Sequence, residues 1–274
     1  MTPMRQIALL LAVASAVSSA PAAAQPAATL RLSWDHCAID GQVSDRSFAC
    51  NTNTGSDYLY ASIVINDGNP RTGVAITEGK IDITTTSATL PAWWQINTGN
   101  CRANAVTAGV GPFTTGPSCA AWYASPGADP PVGIMNAQPG VDGIKTLSIT
   151  SVAALAPGSE ATLPAGPELL LFTIRITHAK STGAGSCVGC QLPACIGFGA
   201  VRLIYAPGTL PDETIVGGTG SAVTWQSAFV TGYAPVPAHY EGGQQVPYHG
   251  NLGCTFGAVP EQGRTWGMIK TFYR

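Results

Sequence analysis

The chain has 274 residues, only 10% of which are charged, and its formal net charge at pH 7 is -2. So small and mixed a charge excludes the basic surfaces with which proteins hold nucleic acid or anionic membranes. The length is ample for one large domain with a buried core, and the 32 glycines and 21 prolines indicate many turns.

The first segment, residues 1–24, is predicted to be a cleaved export signal. Arg5 supplies the positive start, an apolar run follows over 7–17, and three alanines at 22–24 form a small-x-small cleavage site. A membrane anchor is the alternative, but the run is shorter than the roughly 20 apolar residues that cross a bilayer. We therefore expect a mature chain that begins at Gln25, spans no membrane, and is secreted, periplasmic or on the cell surface.

Residues 25–274 carry strand patterns separated by Gly and Pro, with almost no helical periodicity. The strands lie too close together for helical crossovers, so two packed antiparallel sheets are the expected way to bury one face of each strand. We therefore predict an all-β fold, a single antiparallel two-sheet β-sandwich domain. The predicted strands cover residues 29–34, 58–66, 74–85, 143–152, 168–177, 196–205, 222–225 and 266–273.

Two connecting segments have a distinct character. Residues 67–70 read Asp-Gly-Asn-Pro, and these residue types favour a tight turn, so we predict a hairpin between the flanking strands. Residues 91–136 are poor in strand signal and rich in Gly, Pro and aromatic side chains. We predict that this segment is a long irregular insertion, pinned by a disulfide between Cys101 and Cys119.

Eight cysteines follow the predicted cleavage site, and their even number predicts a disulfide framework formed in an oxidising compartment. Short intervening loops favour Cys37 with Cys50 and Cys101 with Cys119. Each such bond stabilises a fold by about 2–4 kcal/mol, mainly by restricting the unfolded chain.

The other four cysteines, Cys187, Cys190, Cys195 and Cys254, leave three hypotheses open. The first joins Cys187 to Cys195 and Cys190 to Cys254. A four-cysteine zinc site and a redox-active Cys-x-x-Cys pair are the alternatives. The Cys-x-x-Cys pair follows a flexible Gly-rich connection rather than opening a helix, which favours structural disulfides. We therefore predict no metal ion and no other cofactor.

Aromatic side chains within the predicted insertion form the candidate ligand-binding site: Trp93, Trp94, Trp122 and Tyr123. Exposed aromatic rings stack on the apolar faces of sugars, so these four residues indicate a carbohydrate site. The other interpretation, which we favour, is that the rings form a small buried core under the insertion, because large rings are usually well buried.

The sequence contains no motif that predicts catalysis. There is no G-x-S-x-G elbow, no H-E-x-x-H helix, no P-loop and no dinucleotide fingerprint after a strand. Asp35 and His36 are adjacent, but neighbours on a strand point to opposite faces and do not converge. We therefore predict no catalytic residue.

The end of the chain resembles a known group. Residues 265–274 read TWGMIKTFYR and are similar to the W-G-x-I-K-x-x-Y-R type tail of uncharacterised exported bacterial β-rich proteins. Segments 32–35, 90–95 and 187–190 resemble that group as well. The resemblance implies export and β structure but no particular activity. By its alternation the tail suits a last strand, and a terminal sorting signal is the alternative.

These features predict an exported, non-catalytic module with a structural, adhesive or surface-associated role. The expected partner is a glycan or another extracellular protein. A carbohydrate-binding protein with exposed aromatic rings is the first alternative, and burial of Trp93 and Trp94 would remove its basis. A secreted hydrolase with an unidentified site is the second, and it needs titratable side chains that converge in a pocket.

Overall fold

A computed structural model describes residues 26–110, 119–123, 132–139, 146–218, 221–228, 230–234, 239–241, 244–246 and 253–256. The predicted export signal and the predicted strand over 266–273 lie outside the described residues. Single 3-10 turns form at Ala38–Asp40 and Ala92–Trp94. The strands are β1 (Ala28–Trp34), β2 (Asp45–Arg46), β3 (Ser56–Ile65), β4 (Arg71–Thr85), β5 (Val106–Gly109), β6 (Ala120–Ala121), β7 (Val132–Pro139), β8 (Thr146–Ala154), β9 (Ala161–Leu163), β10 (Glu168–Thr177), β11 (Ala194–Tyr205), β12 (Glu213–Val216), β13 (Ala222–Trp225), β14 (Val230–Ala234), β15 (His239–Glu241), β16 (Gln244–Val246) and β17 (Gly253–Phe256).

The strands form two main sheets, which pack face to face as the predicted β-sandwich. The smaller sheet has the order β1-β3-β10-β5, with β6 beside β10. The larger sheet has the order β2-β13-β11-β4-β8-β7, with β12 beside β11 and β9 beside β4. Most pairings are antiparallel, as predicted, whereas β6 with β10 and β2 with β13 are parallel. The all-β fold class is thus confirmed.

A β-bulge in β10 explains why its sequence reads as a continuous apolar run. The register against β3 shifts between Leu170 and Phe172. Because of this shift, Leu171 and Phe172 both enter the core between the sheets, while Leu170 packs on the outer face. Phe172 lies so close to Gly79 of β4 that a Cβ atom at position 79 would be 2.2 Å from its ring.

The segment at 67–70 forms a turn as predicted, but the predicted hairpin is wrong. The Asn69 N–H donates to Asp67 Oδ1 at 3.0 Å, which is the local hydrogen bond expected of an Asp at a turn. The flanking strands β3 and β4 belong to different sheets. The turn therefore carries the chain across the sandwich rather than between paired neighbours.

The prediction of an irregular insertion over 91–136 is also wrong. It holds β5 and β6, which pair with β10 of the smaller sheet, and the start of β7, which pairs with β8 of the larger sheet. Their sequences gave little strand signal: β5 is VTAG and β6 is a pair of alanines. Pairing with a central strand, rather than β propensity, holds them in place.

An ionic clamp closes the end of the sandwich where β3 passes to β4. The Arg71 guanidinium donates to both carboxylate oxygens of Asp67 at 3.1 and 2.9 Å, and to both of Glu213 at 2.8 and 3.0 Å. The hydrogen bond from Arg71, with a smaller contribution from the Asn69 N–H, lowers the pKa of Asp67 to about 2. Burial, followed by the hydrogen bond to Glu213, raises the pKa of Tyr205 to about 12.

Acidification should weaken this clamp through Asp67. Its pKa lies near 2 in the folded chain and near the ordinary value of 3.8 in the unfolded chain, so its contribution to stability is present above about pH 4 and is lost as the pH falls towards 2. We expect the thermal midpoint of the native protein to fall more steeply over this range than that of Asp67→Asn. Circular dichroism melts at pH 2 to 5 measure the difference. Asp40→Asn, which alters an exposed carboxylate, should behave like the native chain, and identical slopes for all three proteins would contradict the clamp.

Candidate functional site

Four connections gather at the opposite end of the sandwich. β4 ends at Thr85 and β13 ends at Trp225, and both residues lie opposite Ala194 at the start of β11. The two sheets meet here, because the Trp34 indole at the end of β1 donates to the Thr224 carbonyl at 3.1 Å. We call this region the loop end, and its connections are residues 35–55, 86–105, 178–193 and 226–228.

All eight cysteines form disulfides, as predicted, but every predicted pairing is wrong. Two of the observed bonds tie the loop end together: Cys50–Cys190 and Cys101–Cys187, with sequence separations of 140 and 86. For closed loops of this size, the loss of unfolded-chain entropy stabilises the fold by about 4–5 kcal/mol per bond. The other two bonds are Cys37–Cys119 and Cys195–Cys254. The contradicted pairs are Cys37 with Cys50, Cys101 with Cys119, Cys187 with Cys195 and Cys190 with Cys254.

The zinc and redox hypotheses are overturned by the same pairings. Cys187 and Cys190 are bonded to two different partners rather than to each other, and no cysteine is free. A cysteine binds zinc as a thiolate, and the two cysteines of a redox-active pair form a disulfide with each other. Cysteines paired as they are here do neither. Among the residues that the structure describes, no group of three His, Cys, Asp or Glu side chains could hold a metal ion.

An aromatic cluster fills the space beneath the loops, with Trp225 at its centre. The ring centroids of Trp34, Trp93 and Trp94 lie 6.0, 6.3 and 5.8 Å from that of Trp225. Phe48 adds a fifth ring, 6.2 Å from Trp225. These tilted, stacked and edge-on arrangements at 5.8–6.3 Å lie within the favourable range for aromatic pairs.

The predicted aromatic sugar platform is therefore wrong for its main members. Trp93 and Trp94 are 0% exposed, and Trp122 is 2% exposed. Trp122 and Tyr123 form an edge-on pair at 6.0 Å beside β6, separate from the Trp225 cluster. Burial raises the pKa of Tyr123, which is partly buried. The interpretation of the rings as buried core is therefore correct for Trp93, Trp94 and Trp122.

A close backbone contact joins the Trp93 turn to the Cys-x-x-Cys turn. The Trp93 N–H donates to the Val188 carbonyl at 2.9 Å, and the Trp94 N–H donates to the Pro91 carbonyl at 2.9 Å. Gly189 has φ of +103°, and a Cβ atom there would lie 2.3 Å from Pro91 Cβ. Only glycine fits this position, since a side chain meets both backbone strain and a collision.

A buried arginine, which the sequence did not indicate, supports the same turn. Arg102 is 1% exposed, and its guanidinium lies 3.2 Å from the Trp93 ring centroid. Its Nη1 donates to the Trp93 carbonyl at 3.1 Å, and Nη2 donates to the Thr177 carbonyl. Burial lowers the pKa of Arg102 to about 9, while the two carbonyls and the ring face stabilise the charged form.

Replacement of Arg102 by lysine should destabilise the protein. A lysine ammonium is a compact charge that cannot stack on Trp93 and bridge both carbonyls at once. We expect the free energy of unfolding to fall by about 2 kcal/mol, measured by urea denaturation with the disulfides intact. Arg175→Lys, at an exposed position, should stay within about 0.5 kcal/mol of the native chain. Equal stability of the two variants would contradict the role of Arg102.

Unusual backbone conformations concentrate at the loop end. Gln226 has φ of +58°, and its side chain pairs with the backbone of Phe48, donating to the carbonyl at 2.6 Å and accepting from the N–H at 3.2 Å. Such strained residues persist only where the surrounding structure holds them, and they are frequent in binding regions. The non-glycine residues with positive φ among the described residues are Asp35, Cys50, Asn104, Lys180, Gln226 and Ser227, all within the four connections.

A chain of charged side chains borders the cluster. His178 Nε2 lies 2.8 Å from Asp57 Oδ2, and its Nδ1 lies 2.9 Å from the Thr54 carbonyl oxygen. Arg46 Nε lies 3.4 Å from Asp57 Oδ1, and Arg46 also pairs with Asp35. Both ring nitrogens of His178 thus have hydrogen-bonding partners within the protein.

The loop end exposes large apolar side chains. Val188 is 76% exposed and Leu192 is 38% exposed, and we call these two side chains the apolar tip. Val188 stands between Cys187 and Cys190, each of which is anchored to a different neighbouring connection. The Leu192 N–H donates to the Gly189 carbonyl at 3.1 Å, which closes the turn. The tip is thus aliphatic, solvent-facing and firmly supported.

Comparisons with known proteins give no relative from which a function could be transferred: no family model matches the chain, and no curated protein matches it. In the described part of the chain no helix is long and apolar enough to cross a membrane. The site must therefore be judged on its own geometry.

Proposed function

We propose that this protein is an exported, non-catalytic adhesive module that binds an extracellular protein through the apolar tip of its loop end. The observation that carries the proposal is the placement of Val188, 76% exposed, in a turn that two disulfides fix on both sides. An exposed apolar patch marks a protein contact site when its side chains lie together, and Val188 and Leu192 share one turn.

Rigidity of the tip supports this role. Binding costs free energy for each side chain and loop that must be ordered, and a loop already fixed in the free protein avoids much of that cost. The Val188 carbonyl accepts from Trp93, and Gly189 packs directly against Pro91. The tip is therefore presented in one conformation before any partner arrives.

The chemistry of the tip favours a protein over a glycan. Val188 and Leu192 offer aliphatic surface, which suits the apolar core of a protein interface. Sugar recognition by stacking needs exposed aromatic rings, and Trp93 and Trp94 lie inside the core. We therefore propose a protein partner, and the test below distinguishes it from a glycan.

The compartment and the charged side chains agree with an adhesive role. Four disulfides are typical of proteins that fold in an oxidising compartment, and export through the segment 1–24 remains our prediction. At the loop end, ion pairs and hydrogen bonds join Asp35, Arg46, Asp57 and His178 to one another. This mutual pairing fits a supporting role better than acid–base catalysis.

Binding to cell surfaces tests the proposal. Fluorescently labelled mature protein is incubated with cells of the exporting organism, and bound protein is measured by flow cytometry. We expect saturable binding that Val188→Ser weakens about tenfold, equivalent to about 1.4 kcal/mol. Leu210→Ser is the matched control, because Leu210 is 54% exposed and lies outside the four connections.

Treatment of the cells identifies the partner class. Proteolysis of the cell surface should abolish binding, whereas periodate oxidation of surface glycans should leave it unchanged. Loss of binding after periodate alone would replace the protein partner with a glycan. Native-like binding by Val188→Ser would contradict the apolar tip as the contact surface.

A further inference from the structure

His178 lies between two groups that can only accept hydrogen bonds. Its Nδ1 is 2.9 Å from the Thr54 carbonyl oxygen, and its Nε2 is 2.8 Å from the Asp57 carboxylate. A neutral imidazole carries one N–H and one bare nitrogen, so it can satisfy only one of these acceptors. An ionised Asp57 carboxylate and the Thr54 carbonyl are both satisfied only when both ring nitrogens carry a proton, which pairs an imidazolium cation with a carboxylate.

The surroundings of His178 suit a cation. Arg46 Nε lies 3.4 Å from Asp57 Oδ1, so the guanidinium and the imidazole share one carboxylate. The Phe48 ring stacks on the imidazole with centroids 3.8 Å apart, and an aromatic face attracts a cation. Gly55 allows the close approach, since a Cβ atom there would lie 3.0 Å from Nδ1.

The other charged groups near His178 have partners of their own. On its own loop, Lys180 donates to the Cys101 carbonyl at 2.7 Å. From the 86–105 connection, Arg102 reaches the Thr177 carbonyl, and on β10 Arg175 donates to the Ser56 hydroxyl at 2.9 Å. Asp35 pairs with Arg46. Asp57 is thus the carboxylate that faces the ring.

These contacts fasten two connections of the loop end to each other. The His178 N–H donates to the Gly55 carbonyl at 3.0 Å. The Asn53 side chain accepts from the Thr182 N–H and donates to the Thr182 carbonyl, both at 3.0 Å. Residues 53–57 therefore hold the start of the 178–193 connection, which leads directly to Cys187.

We propose that His178 is a proton-operated latch between residues 53–57 and the 178–193 connection. The imidazolium closes the latch by donating to Thr54 and Asp57 together. When it releases one proton to solvent, one of the two bonds is lost and the start of the loop loosens. An imidazole in water changes its charge between about pH 5 and 8, and the test below spans that range. This inference is independent of the proposed partner.

Hydrogen exchange on the mature, disulfide-intact protein tests the latch. Protection factors, which correct for the intrinsic effect of pH, are measured by NMR at pH 5.5 and pH 8. We expect the amides of His178 and Thr182 to lose about tenfold protection at pH 8. At pH 5.5, nitrogen-15 shifts of the His178 ring should report both nitrogens as protonated. Unchanged protection, or a ring with one bare nitrogen at pH 5.5, would overturn the proposal.

Three variants separate the latch from general effects of pH. His178→Gln has no proton to lose in this range and should show the same protection at both pH values. Asp57→Asn supplies an amide that can donate to a neutral ring, so the pH effect should shrink without loss of the His178 ring. His36→Gln is the matched control, because one ring nitrogen of His36 meets the Cys37 carbonyl and no carboxylate among the described residues bridges it to another connection. A pH effect that persists in His178→Gln, or that disappears in His36→Gln, would contradict the latch.

Discussion

The loop end depends on one constraint: two disulfides hold the 178–193 connection from both sides above a buried tryptophan cluster. Cys50–Cys190 ties it to the 35–55 connection, and Cys101–Cys187 ties it to the 86–105 connection. Trp225 lies beneath, in contact with rings from those same connections. The covalent bonds limit how far the loops separate, and the packed rings set how closely they approach. Neither element alone would fix the position of the apolar tip.

The opposite end of the sandwich is closed by a different kind of interaction. There a single guanidinium, Arg71, binds two carboxylates and joins the β3–β4 turn to β12. Such a clamp responds to acid through Asp67, whereas a disulfide does not titrate. The molecule thus has one end held by covalent bonds and burial and one end held by charge. The binding surface that we propose lies at the covalently held end, where exposed apolar side chains remain supported.

The sequence predicted the sandwich because the long strands carry strand patterns of their own: β1 alternates, and β3 is rich in β-branched and aromatic residues. It did not predict the disulfide pairs, because cysteines that are distant along the chain meet only once both sheets have formed. The burial of Trp93 and Trp94 is not visible in their own segment, since the rings that contact them come from the 35–55 connection and from β13. Arg102 gave no signal at all, because its carbonyl partners and the Trp93 ring are features of the fold.

Site-specific photo-crosslinking tests most directly whether Val188 contacts a partner protein. A photo-reactive amino acid replaces Val188 in one variant and Leu210 in another, and each labelled protein is bound to cells of the exporting organism and irradiated. We expect a discrete, protease-sensitive protein adduct from position 188 and none from position 210. Equal adducts from both positions, or binding without any adduct at position 188, would contradict the account.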